Sequence, residues 1–448
     1  MSATITIDSR IFFANLFRKS SFDDPDTSCH FYIGNTLPWE NEYSPDISIN
    51  SIKQIEDHLL YRIFMKKLVY DNTVMAIKRY NWKKWTTYTS AYHDKDFYDY
   101  RNWIHPESPF YVMNSEGNVY KCIHNNYNMP STIEPTGTPS FELIRLTDGY
   151  IWKFMFNLYD GSAQNKPFNV IDTFLTDTWI PVPDRDDWKT TAHIAVENSA
   201  KKGEIPFIRI DNQGSGYDPA TTKVIIKGDG TGAEGSAFIE NGQITEIQLV
   251  STGIDYTVAT VEIYGNGTGA KATPMIAPIA GHGSDAVREL GATYLELSVS
   301  IIEDEDGVAP EMGTYRNCGI VKDTLNILGE KVHDERVSLL SYLNISDASG
   351  TFRIGEIVIG EDSEARGLVY FDPGGADKDV TVYVIFGTFQ DGERIHGQET
   401  GEVGVYNEAL SDITIIDNKS GSILYKENIL FITRRKIQTE KFIFTIEF

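Results

Sequence analysis

Between residues 200 and 280 the chain repeats itself, and this limits what it can fold into more than any other feature. Phe207-Ile208-Arg209-Ile210, Gly214-Ser215-Gly216-Tyr217, Val224-Ile225-Ile226 and Gly228-Asp229-Gly230-Thr231-Gly232-Ala233 form the first copy. They return as Leu249-Val250, Gly253-Ile254-Asp255-Tyr256, Val261-Glu262-Ile263 and Gly265-Asn266-Gly267-Thr268-Gly269-Ala270. The tyrosines stand 39 positions apart and the glycine loops 37. One supersecondary unit of short strands and glycine turns is therefore used twice. The glycines are turns and not a phosphate cradle. A phosphate loop leads into a helix whose N-terminus meets the anion, whereas this one leads into Ala237-Phe238-Ile239 and a turn at Asn241-Gly242. The Lys-Ser/Thr pair of a P-loop is missing, and Thr231 and Thr268 stand where a calcium-binding β-roll needs Asp.

A second repeat lies in residues 340 to 415. Phe352-Arg353-Ile354-Gly355-Glu356-Ile357-Val358-Ile359-Gly360 recurs 37 positions later as Phe389-Gln390-Asp391-Gly392-Glu393-Arg394-Ile395-His396-Gly397. This pattern predicts a small antiparallel barrel or sandwich. Elsewhere, Asp148-Gly149 turns into Tyr150-Ile151-Trp152-Lys153-Phe154-Met155-Phe156, whose alternate residues Tyr150, Trp152, Phe154 and Phe156 form a wholly aromatic face. Four large rings need a broad partner, so the stretch is expected to be a central strand packed against a second layer. Phe110 to Met113 and Val119 to Ile123, joined at Asn114-Ser115-Glu116-Gly117, read as a hairpin. Strands are also expected at Thr73 to Ile77 and Ala292 to Ile302. The closing stretch Lys441 to Phe448 is expected to be a strand tied into a sheet.

Helical signals are few. A short helix is expected at Arg10 to Arg18. Ser51 to Tyr70 carries the clearest pattern: Ser51 and Gln54 have capping-box spacing, and Ile52, Ile55, Leu59, Leu60, Ile63 and Phe64 make one apolar stripe.

Composition narrows the function. The formal net charge of -24 argues against a nucleic-acid partner, which needs clustered Lys and Arg, and against an anionic membrane surface. Cys29, Cys122 and Cys318 are odd in number and far apart, as reduced thiols are. Neither a signal peptide nor an 18-residue apolar run is seen. The nine histidines are dispersed, and Cys122 with His124 has no second pair to complete a zinc site. No nucleophile elbow appears, and with 64 Asp and Glu any glycosidase-like pair of carboxylates is uninformative. No catalytic, cofactor-binding or metal-ligating residue is assigned. One region suits a sugar. Trp82, Trp85, Tyr88, Tyr92, Tyr98, Tyr100 and Trp103 lie among Asp94, Asp96 and Asp99, setting stacking platforms beside acceptors. The same composition suits a subunit contact.

Three passages in order resemble a known family. They are Tyr32-Ile33-Gly34 through Pro38-Trp39 to Tyr43-Ser44-Pro45; Ala76-Ile77 with Arg79 and Trp82, then Val119-Tyr120-Lys121-Cys122; and Asp148 to Phe156 leading to Ile180-Pro181-Val182-Pro183. Together with Gly421-Ser422-Ile423-Leu424-Tyr425 and the closing aromatic strand, they are similar to the baseplate wedge subunit encoded by gene eight in contractile-tailed phages of the T4 type. The resemblance covers about 1–190, 285–335 and 418–448, and the two repeat blocks depart from it. It implies a three-layered β-sandwich with flanking helices, a homodimer within each wedge, contacts with other wedge proteins, and no enzymatic activity or cofactor. The location it implies is the virion tail baseplate, assembled in the host cytoplasm.

The expected fold is thus mainly β: a multi-layered antiparallel β-sandwich with a few flanking helices and two inserted glycine-rich β modules. Wedge-like core is expected at 1–195, 285–335 and 418–448, with the modules at 200–280 and 340–415. The expected function is structural, without nucleic-acid binding or membrane insertion. A glycan-binding, adhesin-like tail protein is the alternative.

Overall fold

The computed structural model describes residues 5–36, 38–93, 109–158, 173–186, 188–303, 305, 308–310, 313–407, 416–435 and 437–448. The chain is mainly β, with 43% strand and 11% helix among the described residues, arranged in multiple antiparallel sheets. It divides into two compact units, each assembled from separated stretches. Met1–Ala14, Val74–Leu297 and Phe444–Phe448 form the first, and Asn15–Thr73 with Ser298–Ile443 the second. Among the described residues no helix is long and apolar enough to cross a membrane.

The first unit contains a four-stranded sheet ordered Tyr111–Met113, Asn118–Asn125, Tyr150–Asn157 and Ile144–Arg145. The expected hairpin is its first pair. The aromatic stretch is a central strand buried on both faces. Tyr150, Trp152 and Phe154 pack with Tyr88, Tyr120 and Val196 of helix Thr191–Ser199, while Ile151 packs with Tyr92, Phe207 and Met275. The Tyr150 and Trp152 rings stack at 5.5 Å, and Tyr88 meets Trp152 edge-on at 5.5 Å. The turn before the strand is built by Asp148, whose carboxylate accepts the amides of Tyr150, Thr132 and Ile133. Gly149 there has φ +82°, a conformation that favours glycine. The chain end is held too, since the Phe448 amide donates to the Thr293 carbonyl at 3.1 Å.

In the same unit the glycine repeat folds as expected into strands joined by turns, but its two copies are interleaved. Phe207–Asn212 pairs with Lys271–Met275, Lys223–Gly228 with Ala259–Tyr264, and Thr231–Glu240 with Gln243–Ile254. Each tyrosine serves the other copy. Tyr217 Oη accepts the Ala270 amide, and Tyr256 Oη accepts the Ala233 amide, both at 3.3 Å. Gly267 and Gly230 lie under these rings, where a Cβ would run into Tyr217 and Tyr256 respectively.

The second unit contains a five-stranded sheet ordered Arg336–Ser338, Arg62–Lys67, Cys29–Gly34, Gly313–Lys322 and Ser422–Arg434. Two helical expectations change in extent. The first helix is longer than Arg10 to Arg18 and spans Ile7–Phe22. The second is shorter than Ser51 to Tyr70 and ends at Leu60, because Ile63, Phe64 and Met65 belong to the buried part of a strand, Arg62–Lys67, that pairs with Cys29–Gly34. The stripe from Ile52 to Phe64 therefore belongs to two elements. Ser51 does cap the helix, accepting the Gln54 amide at 3.2 Å, but Gln54 Oε1 turns to the amide of Ile49 at 2.7 Å and closes no box with Ser51.

Residues Ser341–Asn407 form a closed six-stranded barrel around Leu343, Phe352, Val358, Val382, Phe389 and Ile395. Its two copies are also interleaved. Glu356 accepts the amides of Glu399 and Thr400 at 3.0 Å each and the Thr400 hydroxyl at 2.9 Å. Its partner 37 positions on, Glu393, accepts the amides of Asp362 at 3.2 Å and Ser363 at 2.9 Å and the Ser363 hydroxyl at 2.8 Å. Each carboxylate also takes the amide three residues before it, Arg353 or Gln390, at 2.6 Å. Burial disfavours both charges, but these donors outweigh it and hold both carboxyls below their ordinary value of 4.5.

A carboxyl depressed on folding contributes stability that is complete above its unfolded pKa and lost as pH falls through its folded one. Acidification below about 4.5 is therefore expected to loosen the barrel. Glu356→Gln should lower its stability at pH 7 by about 1.5–3 kcal/mol, the range for hydrogen bonds to charged groups. Hydrogen exchange of the barrel strands against pH, in the parent and in Glu356→Gln, checks both.

Candidate interaction surface

Of the residues singled out for chemistry that lie among the described residues, most are core. Tyr88 and Tyr92 are buried, and Trp82 is half-buried with its indole N–H on Ser131 Oγ at 3.1 Å. Trp85 alone of these four stands out, 70% exposed at φ +67°. Its backbone is held there by Ser131, whose carbonyl accepts the Trp85 amide at 2.7 Å and whose amide donates to Thr86 at 2.9 Å. Tyr98, Tyr100, Trp103, Asp94, Asp96 and Asp99 lie outside the described residues. Cys122 and His124 do not face each other. A register shift between them sends Cys122 to the Trp152 side and His124 to Tyr92 and Phe207. The His124 ring nitrogen shares a 2.6 Å hydrogen bond with Tyr92 Oη, and burial brings its pKa down to about 4. Among the described residues no group of three His, Cys, Asp or Glu side chains is placed to hold a metal ion. In the glycine loops the amides of Ala233 and Ala270 are taken by the tyrosine hydroxyls, and Asp229 accepts the amides of Thr257 and Val258 at 2.9 Å.

One buried polar cluster, missed by sequence reasoning because His282 and Glu289 stand 161 and 168 positions from Lys121, joins these three residues. Lys121 Nζ donates to Glu289 Oε2 at 2.8 Å, His282 Nδ1 lies 3.4 Å from Nζ, and the Gly283 amide donates to Glu289 Oε1 at 2.7 Å. All three side chains are buried. Burial opposes the Glu289 charge, but Lys121 and His282 outweigh it and hold the carboxyl well below its ordinary range. Burial, seconded by Lys121, brings His282 down to about 4. A paired, sealed cluster of this kind fixes the Asn118–Asn125 strand against the loop before helix Ala286–Leu290.

Among the features the second unit presents to solvent is a strap, residues 38–52, which carries Tyr43 at 85% exposure, Ile47 at 87%, Ile49 at 59% and Ile52 at 77%. Its backbone is pinned from below by polar side chains. Arg316 bridges to Glu42 at 3.0 Å and donates to Asn35 Oδ1 at 2.8 Å. Lys426 Nζ donates to Ser48 Oγ and the Ile49 carbonyl at 2.6 Å each, and Asn428 Nδ2 to the Asp46 carbonyl at 2.9 Å. The Trp39 indole N–H donates to the Ile429 carbonyl at 3.2 Å. These anchors lie on Gly313–Lys322 and on the edge strand Ser422–Arg434. The edge strand is interrupted twice, and at the larger irregularity Leu430 and Phe431 are exposed. The sequence signals here were the Pro38-Trp39 turn and Tyr43-Ser44-Pro45; the outward turn of the isoleucines was not legible from them.

No protein-family model matches the chain, and no curated protein matches it either.

Replacing Lys121 by Met leaves the Glu289 charge buried without its cation and is expected to cost about 3–5 kcal/mol. Since the folded state also keeps His282 unprotonated below its ordinary 6.5, stability of this unit should fall as pH drops from 6.5 through about 4. Hydrogen exchange of the Asn118–Asn125 amides, read across that pH range in the parent and in Lys121→Met, checks both effects.

Proposed function

We propose that the chain is a structural, non-catalytic subunit of the baseplate wedge of a contractile phage tail, assembled as a homodimer and joined to neighbouring wedge proteins by protein contacts. One observation carries this reading: the first of the family-like passages, Tyr32-Ile33-Gly34 through Pro38-Trp39 to Tyr43-Ser44-Pro45, runs into the strap, where Tyr43 and then Ile47, Ile49 and Ile52 stand in water on a pinned backbone. Large apolar side chains grouped on a surface mark interaction sites. Ordering the strap in advance lowers the entropic cost of docking there. The five-stranded sheet, whose strands Gly313–Lys322 and Ser422–Arg434 carry the anchors, supplies the body on which such a surface keeps its shape.

Trp85 favours the second reading, a glycan-binding tail protein. An exposed indole held at positive φ is a stacking platform whose strain is maintained by its neighbours.

Three measurements test these readings. Subunit assignment in a reconstruction of the intact virion should place the chain in the tail baseplate, with light scattering of the purified protein giving a dimer; a location in the capsid or at fibre tips removes the wedge reading. Retention on a glycan array that is lost in Trp85→Ala supports the second reading, and absence of retention removes it.

A further inference from the structure

We propose that the strap docks on a different polypeptide, one whose surface offers an apolar groove bordered by lysine and arginine. The inference rests on the assembly reading above and names the chemistry of the partner. Tyr43, Ile47, Ile49 and Ile52 present four large side chains within ten residues, each more than half exposed. A loose loop would fold such residues inward. This one is kept from doing so by Arg316, Lys426, Asn428 and Trp39, whose hydrogen bonds use the strap's own polar atoms and leave the isoleucines outside.

The charge around these anchors chooses the occupant. Residues 38–57 contain Glu40, Glu42, Asp46, Glu56 and Asp57 but a single cation, Lys53. Glu42 is neutralised by Arg316, and Lys426 is drawn beneath the strap onto Ser48 and Ile49. Glu40, Asp46 and Glu56 are exposed, as is Lys53, so exposed carboxylates outnumber exposed cations in this stretch three to one. A second copy of this chain, net charge -24, meeting strap against strap would set carboxylate against carboxylate, which association disfavours. A cationic rim around an apolar groove satisfies both features, so the homodimer uses another face.

The test compares the purified chain with the same chain inside virions produced from the genome that encodes it. Hydroxyl-radical footprinting should show labelling of Tyr43, Ile47, Ile49 and Ile52 falling by about tenfold in the particle, as for the water-excluded centre of an interface. Zero-length carbodiimide coupling should join Asp46 or Glu56 to lysines of another polypeptide. Ile47→Asp should abolish incorporation while leaving the purified protein's circular dichroism and melting unchanged, because residue 47 is 87% exposed. Equal labelling in both states overturns the proposal, as does coupling confined to a second copy of this chain. A particle that lacks the chain altogether overturns the assembly reading itself, and the two failures are told apart by whether the chain is present.

Discussion

Reciprocal capping between repeated halves is the interaction on which both small modules depend. In the glycine module each tyrosine closes the other copy's glycine loop, and in the barrel each glutamate closes the other copy's turn. A half of either module is a few short strands, too little to bury a core alone. Exchange of caps makes each half's turns conditional on the other's presence, so the module forms as a whole. The glycines follow from this. Gly230, Gly267, Gly360 and Gly397 stand where the exchanged tyrosine or carboxylate comes closest, and a Cβ would occupy its place.

The larger sheets are held differently, by size and by burial on both faces. Strand Tyr150–Asn157 has its aromatic rings on one side and Ile151 and Lys153 on the other. The lysine reaches the carbonyls of Ser140 and Phe141 at 2.7 and 3.2 Å, so its charge is satisfied inside the fold. Arg62 in the second unit behaves likewise, buried yet donating to Leu59, Thr324 and Ser420. Cations held by carbonyls and hydroxyls cross-link loops to strands, and they do so where a long apolar side chain would fix no direction.

Much of this was legible in the sequence because it depends on local pattern. Gly-Tyr spacing announced the first repeat, the returning Phe and Gly-Glu announced the barrel, and Asp148-Gly149 marked the start of the central strand. Legibility failed where two elements share one pattern. Ile63 and Phe64 continue a helical stripe on paper, yet they lie in a strand buried on both faces, where no alternation survives to give it away. It failed again where a register shift intervenes, since Cys122 and His124 at i and i+2 belong to one face only in an unbroken strand. Nothing in either repeat reveals that its caps are exchanged, for spacing is the same whether a side chain serves its own copy or the other. Of the interaction surface, the turn at Pro38-Trp39 was visible. Its anchors Arg316 and Lys426 lie far along the chain, and so the outward display of Ile47 and Ile49 was not.

The edge strand Ser422–Arg434 closes the five-stranded sheet with its ladder broken at two places and an indole N–H already on the Ile429 carbonyl. A long, regular edge invites any passing strand to extend the sheet, with little regard for sequence. This one has surrendered that continuity, so a partner of the kind proposed for the neighbouring strap would have to read it by its side chains. Recognition stored in a few side chains is easily lost and easily re-targeted. On the proposed reading this part of the molecule would change allegiance by point substitution while the barrel and the aromatic sheet stay as they are.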